Sequence, residues 1–220
     1  MQTAVVTGAS RGLGEAIAEA LLTQGYQVIG TSTSGEATDA VPNMVKLDLS
    51  DRASIHAGVK EIIERADGKI NLLYNNAGYN NRSADAMLSD VDDALKVVQV
   101  NLLGLMELTA LLLPQMDDNG LIMNMSSSAG DLPTLEGYNY GAYNVSKAAV
   151  DMYTRSLAKM VADRSLKVIA TDPEWVATDM GGSGAPKHPA AVGEETLRLI
   201  ANYDHLYSGG KYRHADLVWS

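Results

Sequence analysis

The chain of 220 residues is 46% hydrophobic and 20% charged, long enough for one sizeable core and far from the composition of disordered segments. A formal net charge of −10 counts against nucleic acid or an anionic membrane as partner, since both demand clustered Lys and Arg. With no cysteine, disulfides, thiolate nucleophiles and cysteine metal sites are excluded, which fits a reducing cytoplasm.

The opening MQTAVVTGAS has no basic segment followed by a long apolar run, so no secretory signal is expected. Within it TAVVT (3–7) predicts a strand that passes straight into TGASRGLG (7–14). Glycines at 8, 12 and 14 allow a tight turn and close backbone approach, and the following helix start, with Leu13, Ile17 and Leu21 at helical spacing, presents free N–H groups to a phosphate. The spacing is G-x3-G-x-G without the Lys-Ser/Thr pair of a P-loop, so an NTPase is a poor reading. YQVIG (26–30) predicts the second strand; it runs into Thr31, Ser32 and Thr33, with no acid before Glu36. NMVKL (43–47) predicts a third, followed by Asp48 and a helix marked by Ile55, Val59 and Ile62.

NLLYN (71–75) predicts a fourth strand ending in NNAG (75–78). The apolar run from Leu102 to Pro114, broken by Glu107, reads as a buried helix too short to span a bilayer, with the polar Asn101 at its start. LIMNM (121–125) and LKVIA (166–170) predict two more strands. Between them, Tyr143 and Lys147 stand four positions apart, hence on one face of a helix continued by Ala148, Met152 and Leu157. That spacing alone is common on surface helices. MGGSGAPKHP (180–189) reads as a loop before a last helix near Val192–Ala201, either a lid or a plain connector. Alternating strands and helices predict a single α/β domain, doubly wound, with a central parallel sheet and helices on both faces; its ligands are expected beyond the carboxyl ends of the strands. Four histidines, at 56, 188, 205 and 214, show no metal-ligand spacing, so no metal is expected.

Five motifs in fixed order, TGASRGLG, NNAG, Asn101 in VQVNLLG, MSSSAG (125–130) and YNVSK (143–147), resemble the short-chain dehydrogenase/reductase family over nearly the whole chain. WVATDMGG (175–182) and the tail SGGKYRHADLVW (208–219) are similar to its carbonyl-reductase-like branch. The resemblance implies a Rossmann-type fold and an NADP(H)-dependent oxidoreductase that reduces a small-molecule carbonyl substrate to an alcohol. It implies catalytic roles for Asn101, Ser127, Tyr143 and Lys147, Ser127 being chosen from the SSSAG triplet because it stands three residues before Gly130. Tyr143 would be the proton donor, with Lys147 favouring the phenolate. The cofactor would lie on Gly8, Ser10, Arg11, Gly12, Leu13, Gly14, Thr31, Ser32, Asp48, Asn75, Ala77, Gly78, Pro173, Val176 and Thr178, with residues 178–190 forming the substrate loop. Asp48 has a competing reading as a helix N-cap. NADPH over NADH is implied by hydroxyls and Arg11 where NAD enzymes carry an acid.

Glu174 replaces the family's usual glycine, and Tyr138, Tyr140 and Trp175 are candidates to line the substrate pocket. The apolar stretch 93–116 fits a homo-oligomer interface or a deep core position. The alternative to an enzyme is a catalytically weak NADP(H)-binding regulatory protein with the same fold, kept open by Glu174.

Overall fold

The strand Thr3–Thr7 (β1) is buried along its whole length. A strand that is apolar on both sides must be covered on both faces, which is the condition of an internal strand in a parallel sheet. In the computed structural model, which describes residues 1–66, 68–80, 91–131, 141–213 and 218–219, β1 lies between Gln27–Ser32 (β2) and Ile70–Asn75 (β4). Met44–Lys46 (β3) flanks β2, while Met116–Met125 (β5), Lys167–Asp172 (β6) and Lys211–Arg213 (β7) continue beyond β4. These seven strands are parallel, and Val218–Trp219 (β8) closes the β7 edge in antiparallel pairing.

All six anticipated strands are present. β5 begins at Met116 rather than near 121, and β6 runs to Asp172. β7 and β8, three and two residues long, are too short to show a periodicity and were not anticipated.

Alternate residues of β1 feed separate cores. Ala4 and Val6 pack with Ile17 and Leu21 of Gly12–Thr23 (α1) and with Val192 and Leu199 of Pro189–Ala201 (α6). Val5 packs with Ile55 and Ile62 of Arg52–Arg65 (α2) and Leu157 of Ala142–Met160 (α5), together with Leu108 and Leu112. Those last two belong to Leu105–Leu112 (α4), which continues Val91–Val98 (α3) through a π-helical stretch, Gln99–Gly104. The continuous run from Val91 to Gln115 is long and apolar enough to cross a bilayer by length and composition, but here it packs on α2 and α5 beside the sheet.

Asn101 sits in the π-helical stretch rather than in the α-helix expected for it. Such a widened turn frees backbone groups from the regular ladder and is common at functional sites. The chain winds to one side of β1 through β2 and β3 and to the other through β4 to β7, so a crevice opens where the direction reverses, at the carboxyl ends of β1 and β4.

Candidate active site

A cavity of about 1140 Å³ occupies that crevice. At its floor lies the glycine turn, with Gly8 and Gly12 at φ +66° and +61°, the left-handed region that favours glycine. Gly14 has no room for a side chain: a Cβ there would come within 2.1 Å of the Gly8 carbonyl oxygen and 2.5 Å of Asn76 Nδ2. The start of α1 has no side-chain cap, its N-cap residue being Arg11 with extended backbone. Its first N–H groups therefore remain for an anion. Ser10, Arg11 and Leu13 line the same floor.

The end of β4 is sewn to this turn. The Asn76 amide donates to the Thr7 carbonyl at 2.8 Å, and the Ala77 N–H to Thr7 Oγ1 at 2.9 Å. Asn76, Ala77 and Gly78 line the cavity. Asn75 is a correction to the expected set: its amide donates to Thr109 and Asn124 in the buried layer on the other face, at 3.0 and 2.8 Å, and does not line the cavity. The reason is alternation along β4, which turns consecutive side chains to opposite faces and brings Asn76 to the glycine turn instead.

Thr31 and Ser32 at the end of β2 and Thr33 just beyond it line the cavity, whereas Glu36 is exposed and outside it. Arg11 pairs with Asp179 at 3.3 Å, both side chains about four-fifths exposed, a contact easily exchanged for another anion. The helix-cap alternative for Asp48 is resolved locally. Asp51 caps α2 by accepting the Ala53 N–H, while Asp48 accepts from the Ser50 N–H and hydroxyl at 2.8 and 2.7 Å and lines the cavity.

On the opposite wall stand Ser127, Tyr143 and Lys147. Ser127 caps the short 3-10 turn Ser128–Gly130, its Oγ accepting the Ala129 N–H at 3.1 Å. The hydroxyl proton is thus available to donate elsewhere. Tyr143 and Lys147 fall on the first and second turns of α5, with Lys147 Nζ 5.4 Å from the Tyr143 ring centre. Lys147 is almost wholly buried and donates to the Met125 carbonyl at 2.7 Å. Burial pushes its pKa down to about 8, with Asp151 opposing the fall and Lys211 adding to it.

Asn101 does not line the cavity; its amide is consumed by the protein. Oδ1 accepts the Tyr79 N–H at 2.7 Å, and Nδ2 donates to the Tyr79 carbonyl at 2.9 Å and to Ser146 Oγ at 3.1 Å. It nevertheless stands beside Lys147: a Cβ on Gly78 would lie 3.5 Å from Asn101 Oδ1 and 3.9 Å from Lys147 Nζ. Tyr79 and Lys96 also line the cavity, with Lys96 Nζ 4.4 Å from the Tyr79 ring centre. Sequence reasoning passed over both, since neither belongs to a motif.

The roof comes from the segment after β6. Pro173, Val176 and Thr178 all line the cavity, and Thr178 packs against the glycine turn. Trp175 lines it too, more than half exposed, its indole N–H donating to the Gly181 carbonyl at 2.9 Å. Tyr138 and Tyr140 lie outside the described residues.

Glu174 has φ +66°, alone among the described non-glycine residues in having positive φ, so a glycine would be the unstrained choice there. Its carboxylate pairs with Lys187, which also meets Glu195 at 3.1 Å. Val176 bridges to Lys187 as well, and the Ala177 N–H donates to the Lys187 carbonyl at 2.8 Å. Relief of left-handed strain, about 1–3 kcal/mol, is opposed by loss of an ion pair of about 1 kcal/mol or less and by about 0.4–1 kcal/mol of added unfolded-state freedom. The stability change for Glu174→Gly is therefore expected to lie between a loss of about 1 kcal/mol and a gain of about 2–3 kcal/mol in urea unfolding. A loss beyond about 2 kcal/mol would show that the ion pair outweighs the strain.

The model of the short chain dehydrogenase family matches residues 2–188. The 3-oxoacyl-[acyl-carrier-protein] reductase FabG of Vibrio harveyi is 34% identical over 186 residues, 80% of this chain and 74% of that protein. Oxidoreductase UcpA of Escherichia coli is 33% identical over 214 residues, 90% of this chain and 80% of its own. Among solved structures, the NADPH-bound carbonyl reductase from chicken fatty liver superposes with a TM-score of 0.83 at 26% identity, over 98% of this chain and 97% of that one.

Proposed function

The chain belongs to the short chain dehydrogenase family of oxidoreductases, and from that premise we propose that it reduces an aldehyde or ketone to the alcohol with NADPH. The observation that carries this reading is the shared cavity: an uncapped helix start above a glycine turn on one side, Ser127, Tyr143 and Lys147 on the other. The residues present fit a nicotinamide dinucleotide, since Gly14 and the α1 N–H groups form a cradle that any Cβ would fill. Bound NADPH supplies the hydride. Ser127 holds the carbonyl oxygen with its free hydroxyl proton, Tyr143 donates its proton to that oxygen as the carbon is reduced, and the Lys147 ammonium stabilises the phenolate left behind. With one Nζ proton on Met125, Lys147 retains two for ribose hydroxyls. The Asn101 amide acts by fixing the Tyr79 segment; a water joining Asn101 to Lys147 would have to rest on its backbone carbonyl.

The residues 178–190 form the substrate loop in this reading, and the names of the reductases among the relatives agree with a carbonyl substrate. NADPH is favoured by Thr31, Ser32 and Arg11 around the place of the adenosine ribose. Arg11→Ala is expected to raise the KM for NADPH by about 10- to 100-fold, the worth of a charged hydrogen bond, and to leave that for NADH nearly unchanged. Equal losses with both cofactors would remove Arg11 from phosphate recognition.

The same reading places the protein in the cytoplasm as a homo-oligomer. Leu95, Leu103, Met106, Val145 and Met152 are exposed on the adjoining helices α3 to α5, more apolar surface than a monomer needs there. Val145→Asp is expected to halve the mass, or reduce it further, in light scattering; a monomeric parent protein would end this part of the reading.

The test of the reaction itself is NADPH consumption, then NADH consumption, against aldehydes, ketones and diketones. Turnover that prefers NADPH supports the proposal. Tight NADPH binding with no carbonyl reduced would instead favour a cofactor-binding regulatory protein.

A further inference from the structure

A second lysine stands behind the serine turn, on the short strand β7 within the tail 208–219. Lys211 of β7 has a side chain only 7% exposed. Its ammonium donates to Asp131 Oδ1 at 2.6 Å, to Asp151 Oδ2 at 2.9 Å and to the Ser127 carbonyl at 2.8 Å. Three protons thus meet three acceptors, and the buried ammonium is compensated by two carboxylates. Lys147 meanwhile holds the Met125 carbonyl. The two ammonium groups brace the chain on either side of Ser126, and Asp172 accepts the Ser128 N–H at 3.1 Å from the neighbouring strand β6.

Asp151 follows Lys147 by one turn of α5, so it stands between the two lysines. We propose that Lys211 is a positioning residue: through the Ser127 carbonyl it fixes the turn that aims the serine hydroxyl, and through Asp151 it sets the charge balance around Lys147. The inference rests on the carbonyl-reductase reading of Ser127, Tyr143 and Lys147. A structural tie alone would need only one carboxylate, whereas here the partner carboxylate is shared with the helix that carries the reacting side chains.

The groups facing Lys147 are Tyr143 and Asp151 on α5, Asp172 on β6 and Lys211 on β7. Arg213 lies 3.8 Å from Asp172, and Asp131 is engaged by Lys211. On α3, Asp93 accepts the Tyr79 hydroxyl and Lys96 covers the Tyr79 ring. Of these, Asp151 strengthens the hold of Lys147 on its proton and Lys211 weakens it. Burial raises the Asp151 pKa, with Lys211 drawing it back. Removing either partner should therefore move Lys147 in opposite directions, which a merely structural role would not do.

The experiment is a pH titration of Lys147 by carbon NMR of protein labelled at the lysine ε-carbons, without substrate, the resonance being assigned with Lys147→Arg. Lys211→Met is expected to move the titration up by about one pH unit and Asp151→Asn to move it down by a similar amount. In turnover, Lys211→Met should lower kcat while leaving the KM for NADPH unchanged. Titrations that stay in place, or that shift the same way in both variants, overturn the proposal. Should Lys211→Met fail to fold, Asp151→Asn decides alone, and a Lys147 titration that does not fall overturns it. Because the titration needs no substrate, failure of the carbonyl-reductase reading would appear separately, as absent turnover in the unmodified protein.

Discussion

Tyr143→Phe is expected to lower kcat for carbonyl reduction by roughly 10²–10⁴-fold, the range of a single general acid, with NADPH affinity preserved. The phenyl ring keeps the packing at the start of α5, and the lysine one turn on still holds the Met125 carbonyl. In the proposed reaction, what disappears is the hydroxyl whose proton the Lys147 ammonium would make easier to give. Removing it leaves developing negative charge on the substrate oxygen with only Ser127 to receive it. Steady-state kinetics and a fluorescence titration of NADPH, run on the same preparation, separate the two effects. A variant that retains more than about a tenth of the parent kcat, a difference of some 1.4 kcal/mol, would show that the proton comes from elsewhere.

The second large effect belongs to the cofactor floor. In Gly14→Ala the new methyl would meet the Gly8 carbonyl oxygen and the Asn76 amide at 2.1 and 2.5 Å, so the turn backbone must move and the Asn76 amide that donates to Thr7 must shift with it. Overpacking of this kind costs about 1–3 kcal/mol. The displaced atoms are those of the cradle itself, so NADPH affinity should fall by about 10²-fold or more. Urea unfolding measures the first quantity and equilibrium binding the second. Binding at the parent affinity would mean that the pyrophosphate does not rest on this turn.

The parts that were legible in the sequence are those where one physical rule acts alone. Burial of β1 on both faces makes its three central residues, Ala4 to Val6, apolar in succession, and helical spacing shows Leu13, Ile17 and Leu21 as one face of α1. The glycine turn was legible because tight turns constrain close neighbours in the chain, whereas the Tyr143–Lys147 spacing gave only a shared helix face and drew its meaning from the other four motifs. Asn75 and Asn76 could not be told apart by composition, only by the alternation that sends one inward and the other to the turn. The spent amide of Asn101 depends on Tyr79 and Ser146, partners 22 and 45 residues away. Lys211 belongs to a three-residue strand and gains its meaning from Asp131, Asp151 and Ser127, all remote in the chain.

The place of β1 at the middle of the sheet has a consequence for how the protein is made. Its residues pair with β2, and on the other edge Thr3 pairs with Ile70, 67 positions later. An apolar strand therefore leaves the ribosome well before one of its neighbours has been synthesised, and long-range parallel pairing is slow to form. During that interval β1 offers an open edge to other chains. Slower translation across residues 33–70 is therefore expected to lengthen the exposure of that edge and to lower soluble yield, which expression with slowed codons over that stretch would measure.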